Sequence, residues 1–144
     1  MRVHILSWFL LTMPAVTLAA PEADYRALGE AHPLVGKWRW TRAANSCTEV
    51  YEYRVDGTLL VTSGDEKTEN NFAIVRNPDS NGFYEAQFKI VKDYGGKDCA
   101  DSETDDTGAE FTTYVIFDPT GAMYLSCQKP NLDACFGPLR RIDE

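Results

Sequence analysis

From Gly36 onward the chain alternates between apolar and polar positions. Trp38, Trp40 and Arg42 fall on one face of an extended segment, and Lys37, Arg39 and Thr41 fall on the other. Tyr51, Tyr53 and Val55 alternate in the same way with Glu52 and Arg54. A period of two marks a half-buried β-strand. Asp56-Gly57 ends the second such run, and both residue types tolerate the positive φ that a tight hairpin requires. Thr58 to Ser63 forms the next predicted strand, with Gly64 to Lys67 as its turn. Thr68 to Arg76 follows, then a turn at Asn77 to Gly82. Phe83 to Asp93 is the longest run, with Tyr84, Ala86, Phe88 and Ile90 on one face and Glu85, Gln87 and Lys89 on the other. A polar loop runs from Tyr94 to Gly108. Phe111 to Phe117, Ala122 to Gln128 and Gly137 to Ile142 complete the set, with a turn at Asp118 to Gly121.

Eight strands, regular turn signals and no helical period between them predict an all-β fold, either a sandwich or a barrel. Short connections between sequence neighbours favour a meander. Closing it removes the edge strands that would template aggregation. The expectation is therefore an eight-stranded antiparallel up-and-down β-barrel. A Gly-x-Trp at the first strand (Gly36, Trp38) and Arg140 and Arg141 on the last give that closure a lock, a guanidinium lying across an indole face.

The segments before the barrel differ in kind. Met1 to Ala19 carries a positive start at Arg2, an apolar run over Ile5 to Leu11 and a small-residue exit, the pattern of a secretory signal peptide cleaved after Ala19. The apolar run falls short of the roughly 20 residues a membrane span needs. Pro21 to Ala31 predicts a short helix or ordered arm, ended by Pro33. Residues 20–35 form this arm and 36–144 one barrel domain.

Charge narrows the partners. The 144-residue chain has a formal net charge of −8, with 22 acidic against 14 basic residues. That excess disfavours nucleic acid and anionic membrane surfaces. Four cysteines, Cys47, Cys99, Cys127 and Cys135, are an even count in an exported chain and predict two disulfides. Three pairings can be drawn. Cys127–Cys135 with Cys47–Cys99 is preferred, because the first clamps one hairpin and the second ties a short loop to the long one. The location implied is periplasmic or secreted.

In a meander, alternate loops fall at opposite ends. All four cysteines lie at or beside the end that collects 43–47, 64–67, 94–108 and 129–136, and so does the acidic run from Asp98 to Asp106. Long loops held by a rigid scaffold tend to carry binding residues, although such loops also need tying down for stability alone.

Reactive chemistry finds little support. His32 is the one histidine outside the signal, and no nucleophile signature stands near it. No pair of carboxylates is singled out by spacing for acid–base work. Asp101, Glu103, Asp105 and Asp106 alternate as calcium ligands do, but Gly108 stands outside the place an EF-hand loop demands, and a solvated acidic loop accounts for them better. No enzyme activity, cofactor or resident metal is expected.

Leu34-x-Gly36-x-Trp38, preceded by a short arm and answered by Arg140/Arg141 on the final strand, resembles the lipocalin-like (calycin) barrels. The resemblance implies a barrel with one closed end and an open mouth that takes a small apolar ligand, with Trp38 as the indole at the base. The chain is shorter than a typical lipocalin and has no C-terminal helix. An eight-stranded barrel is just wide enough to be filled by side chains or to hold one small ligand. The inward aromatic residues Trp40, Tyr51, Tyr53, Tyr84 and Phe88 are the candidate ligand-lining set, and they equally suit a packed core. The leading expectation is a non-enzymatic binding module for a small apolar ligand or a secreted protein partner. The alternative is an acidic inhibitor of a basic secreted enzyme such as a lysozyme or protease.

Overall fold

The structure is a computed structural model and describes residues 31–143. The expected signal peptide and most of the expected N-terminal arm lie outside the described residues. Eight strands follow one another: Gly36–Thr41 (β1), Thr48–Tyr53 (β2), Thr58–Ser63 (β3), Glu66–Ile74 (β4), Tyr84–Asp93 (β5), Glu110–Phe117 (β6), Met123–Cys127 (β7) and Cys135–Ile142 (β8). Each is antiparallel to its sequence neighbour, and β8 returns to β1, so the sheet closes as a barrel.

The seam is paired at Lys37↔Ile142, Trp38↔Arg141 and Arg39↔Arg140. Its lock uses Arg141. The guanidinium lies 4.2 Å from the centre of the Trp38 ring, and its Nη1 donates to the Val35 carbonyl at 3.0 Å. Its Nη2 donates to the Pro33 carbonyl. Trp38 in turn donates from Nε1 to the Leu34 carbonyl at 2.8 Å. The residues entering the barrel are thus tied to its last strand. Gly36 makes this approach possible: it holds φ +130°, and a Cβ there would stand 2.5 Å from Arg141 Nη1. Arg140 is exposed and takes no part in the lock.

The base of the barrel is full. Trp38, Phe72, Tyr124, Leu34 and Leu139 are completely buried. The rings form a connected set: Trp38 meets Tyr124 edge-on at 4.8 Å, and Tyr53 meets Phe72 edge-on at 5.1 Å. The Tyr53 and Tyr124 hydroxyls join across the interior at 3.2 Å. Edge-to-face and offset contacts suit the quadrupoles of these rings, and the paired hydroxyls satisfy two groups that burial would otherwise penalise. Burial pushes the Tyr53 and Tyr124 phenols well above their ordinary range.

Several strand boundaries differ from the sequence expectation, most by one or two residues, and three bear on the site. Glu66 and Lys67 belong to β4 rather than to a four-residue turn, because Ser63↔Glu66 and Thr62↔Lys67 pair. Val55 lies beyond the end of β2 and is exposed, so the alternation of that strand ends at Tyr53. β8 starts at Cys135, not Gly137, since Ser126↔Phe136 and Cys127↔Cys135 extend the ladder. Turn residues marked the ends of hairpins correctly, but tertiary pairing decided how far each ladder runs.

Candidate ligand-binding mouth

The meander places the turns after β2, β4 and β6 at the filled end. The loops after β1, β3, β5 and β7 gather at the other end, the mouth. Toward the mouth, the inward side chains of several strands change from buried to partly exposed, while Ser63, Asn70 and Ser126 stay buried. Trp38 is followed by Trp40, Tyr53 by Tyr51, Phe72 by Asn70 and Thr68, and Val115 by Thr113 and Phe111. Trp40, Tyr51 and Val61 pack on the core with one side and are reached by solvent on the other. Phe111 is 45% exposed and stacks on Phe88 at 5.1 Å, and Phe136 is 37% exposed and packs on Trp40 at 5.3 Å. The barrel has a solid aromatic floor, and the aromatic side chains at its mouth are reached by solvent.

The five candidate lining residues therefore separate. Trp40 and Tyr51 line the mouth. Tyr53 and Phe88 are buried in the floor. Tyr84 lies at the closed end, where its ring meets His32 edge-on at 4.9 Å and Phe117 at 5.7 Å. His32 itself is buried, and its Nδ1 accepts from the Leu34 N–H at 3.1 Å. Its Nε2 is buried near the Val75 backbone without a partner of good geometry. Burial lowers the pKa of this imidazole. It is a capping group of the closed end, far in sequence and place from the mouth loops.

A polar network runs along the mouth wall. Glu49 pairs with Trp40 on one side and Ser63 on the other, and so shares their inward face. One of its oxygens accepts from the Tyr51 hydroxyl and the other from Ser63 Oγ at 2.9 Å. Ser63 Oγ accepts in turn from the Cys99 N–H at 3.0 Å. Burial, reinforced by the Glu49 charge, pushes the Tyr51 phenol well up, so it keeps its proton and donates. Glu66, opposite Ser63 on β4, is pushed up to about 7 by burial and by the charges of Asp93, Asp98, Asp106 and Glu49.

Disulfides fasten this network. Cys47–Cys99 bridges 52 residues, and Cys127–Cys135 closes the β7–β8 hairpin over 8. The preferred pairing is the one formed. Arg42 Nη1 and Asn45 Nδ2 both donate to the Cys99 carbonyl, at 3.1 and 2.9 Å. The long loop also seats on the β3–β4 turn, where the Lys97 carbonyl accepts from the Asp65 N–H at 2.9 Å. Gly96 is required at that contact: a Cβ would stand 2.5 Å from the Asp65 carbonyl oxygen. The loop is a fixed rim, pinned at both ends.

The acidic loop residues do not converge on a metal. Among the described residues no three histidine, cysteine, aspartate or glutamate side chains group to hold one. Asp98 accepts from the Ala100 and Ser102 N–H groups at 2.8 Å each, and Asp105 from the Thr107 N–H at 3.0 Å. Asp101, Glu103 and Asp106 are exposed. These carboxylates shape the loop and charge its surface. No helix among the described residues is long and apolar enough to cross a membrane.

Sequence reading missed Glu49 and Glu66. The first was legible: extending the Tyr51/Tyr53 alternation back by two reaches Glu49. The second was hidden by the Gly64-Asp65 turn signal, which drew Glu66 into the loop. Comparison with protein-family models, curated proteins and solved structures returned no match for this chain.

Proposed function

We propose that this chain is an exported, non-enzymatic binding module of lipocalin-like design, which takes a small ligand with an apolar or aromatic body into the mouth of the barrel. One contrast carries the reading. Inward aromatic side chains are sealed at the base yet reached by solvent at the mouth, where Trp40, Tyr51, Phe111 and Phe136 stand on a rigid wall. Apolar concave surface with a few fixed polar groups is what small-molecule sites are made of. The two disulfides suit an oxidising compartment such as a periplasm or the extracellular space.

The neutral fluorophore N-phenyl-1-naphthylamine tests this directly. Its emission should rise and saturate at one probe per chain, and Val61→Phe, which narrows the mouth, should weaken binding at least tenfold while leaving the circular dichroism spectrum unchanged. Absence of saturable binding, or binding indifferent to Val61→Phe, would overturn the reading.

The exposed acidic rim, Asp101, Glu103, Asp105 and Asp106, favours a second reading, inhibition of a basic secreted enzyme by carboxylates placed in a positive cleft. Salt separates the two. A complex held by surface charges weakens steeply as ionic strength rises, whereas apolar burial does not.

A further inference from the structure

Resting on the small-ligand reading above, we infer that the mouth selects a cationic ligand, an organic amine or quaternary ammonium group carried on an aromatic or aliphatic body, with Glu49 and Glu66 as its counter-ions and Trp40 and Phe136 as the walls beside its charged head.

The inference rests on one continuous rung of the barrel. Ser126 on β7 pairs with Phe136 on β8. The Phe136 ring packs on Trp40 of β1 at 5.3 Å. Trp40 pairs with Glu49 on β2, Glu49 with Ser63 on β3, and Ser63 with Glu66 on β4. Six adjacent strands thus bring two aromatic rings and two carboxylates to one level of the mouth. No lysine or arginine stands on that rung.

Glu49 is held rather than neutralised. Its two partners, Tyr51 and Ser63, are uncharged donors, and among the described residues it makes no ion pair. Its charge is oriented by hydrogen bonds and left without a counter-ion inside an aromatic wall. A carboxylate in that setting gains most from a cation, since the low local dielectric strengthens the attraction. Indole and phenyl faces attract the same charge through their quadrupoles, and aromatic cages of this kind take ammonium groups. Glu66 is pushed up to about 7 first by burial and then by the charges of Asp93, Asp98, Asp106 and Glu49, and a bound cation would offset that second, repulsive part.

A second observation is independent of the acids. Ser126 is 7% exposed, shares the inward face of Val115, and its hydroxyl makes no hydrogen bond among the described residues. Buried hydroxyls are rarely left without partners. The Oδ1 of Asn70, a residue 2% exposed and one step above Phe72 on β4, likewise accepts nothing, although its Nδ2 donates to the Leu59 carbonyl and to Thr68 Oγ1. Ser126 Oγ and Asn70 Oδ1 thus keep unused acceptor capacity on the inward face, and the buried Thr113 Oγ1 of β6, between Val115 and Phe111 on that face, has no hydrogen-bond partner among the described residues.

Three probes of one shape test the inference: 4-phenylbutylamine, 4-phenylbutan-1-ol and 4-phenylbutyrate, each displacing N-phenyl-1-naphthylamine at pH 7.5. The amine should bind at least tenfold more tightly than the alcohol, and the carboxylate weakest of all. Glu49→Gln keeps the shape and removes the charge, with one of the two accepted hydrogen bonds reversed because the amide NH2 donates, and should reduce the preference for the amine to threefold or less. Glu66→Gln should reduce it as well, and it serves alone if Glu49→Gln does not fold. Equal binding of amine and alcohol, or an amine preference that survives both variants, would overturn the cation selectivity while leaving the small-ligand reading standing. Failure of the fluorophore and all three probes to bind would overturn both.

Discussion

Replacing Gly36 by alanine would perturb the barrel seam in two separable ways. The first is conformational. Gly36 sits at φ +130°, where an L-residue is strained, at a cost of about 1–3 kcal/mol. The second is steric: the new Cβ meets Arg141 Nη1 at 2.5 Å. That atom is the end of a flexible side chain, so the guanidinium moves rather than the backbone. Moving it breaks the bond to the Val35 carbonyl and lifts the group off Trp38. An exposed charge-assisted bond contributes about 1 kcal/mol, at or below the low end of the usual range, and the stacking about 0.5–1 kcal/mol. Arg141→Ala alone, which also loses the bond to Pro33, should then cost about 2.5–3 kcal/mol. In the double variant the lock is lost only once. The two single costs should therefore exceed the double cost by about 1.5–2 kcal/mol. Urea unfolding followed by tryptophan fluorescence at pH 7 gives all four stabilities. Additivity within about 0.3 kcal/mol, the usual result for independent sites, would refute the claim that Gly36 is glycine because Arg141 lies over it.

Removing Cys47–Cys99, which spans 52 residues, should cost about 4 kcal/mol, against about 2.5 kcal/mol for Cys127–Cys135, which spans 8, if loop-closure entropy dominates; paired alanine variants in thermal unfolding rank them, and the reverse order would sink that account. Glu66 is raised to about 7 in the folded chain, so the fold binds its proton before the unfolded chain does, and this group's contribution to stability grows as pH falls from about 8 toward 5. Glu66→Gln should therefore stabilise the protein at pH 8, by on the order of 1 kcal/mol after solvent screening, and have little effect at pH 4; equal effects at both would contradict the reading. His32 acts in the opposite direction: its folded pKa is lowered by burial, so the stability present above about 6.5 is lost as pH falls below it. Protonation would put a donor at Nδ1 against the Leu34 N–H it now accepts from, and in the Glu66→Gln background stability should drop between pH 7 and 5, a drop absent from His32→Asn. Tyr53→Phe should cost about 1–2 kcal/mol in chemical denaturation, because it leaves the buried Tyr124 hydroxyl without its partner at 3.2 Å.

The amino-acid sequence on its own determined the architecture. Period-two alternation and glycine-bearing turns specify strands locally, since a residue's face and a turn's φ depend on near neighbours alone. Trp38 and the arginines at the far end of the chain signalled closure, and the even count of cysteines signalled the bridges. What alternation does not encode is depth along the barrel. Tyr53 and Tyr51 are two residues apart on one face, yet the first is sealed in the floor and the second stands in the mouth. That difference comes from what the other strands bring to each level, and register between distant strands fixes it. The choice of Arg141 over Arg140 has the same origin, because the seam pairing alone decides which guanidinium meets Trp38. Glu49 and Glu66 became neighbours across Ser63 only once three strands had aligned. The tertiary structure thus brought scattered carboxylates and aromatic rings to one charged, solvent-reached end of the barrel, because long-range pairing sets which side chains share a level and how much water reaches them.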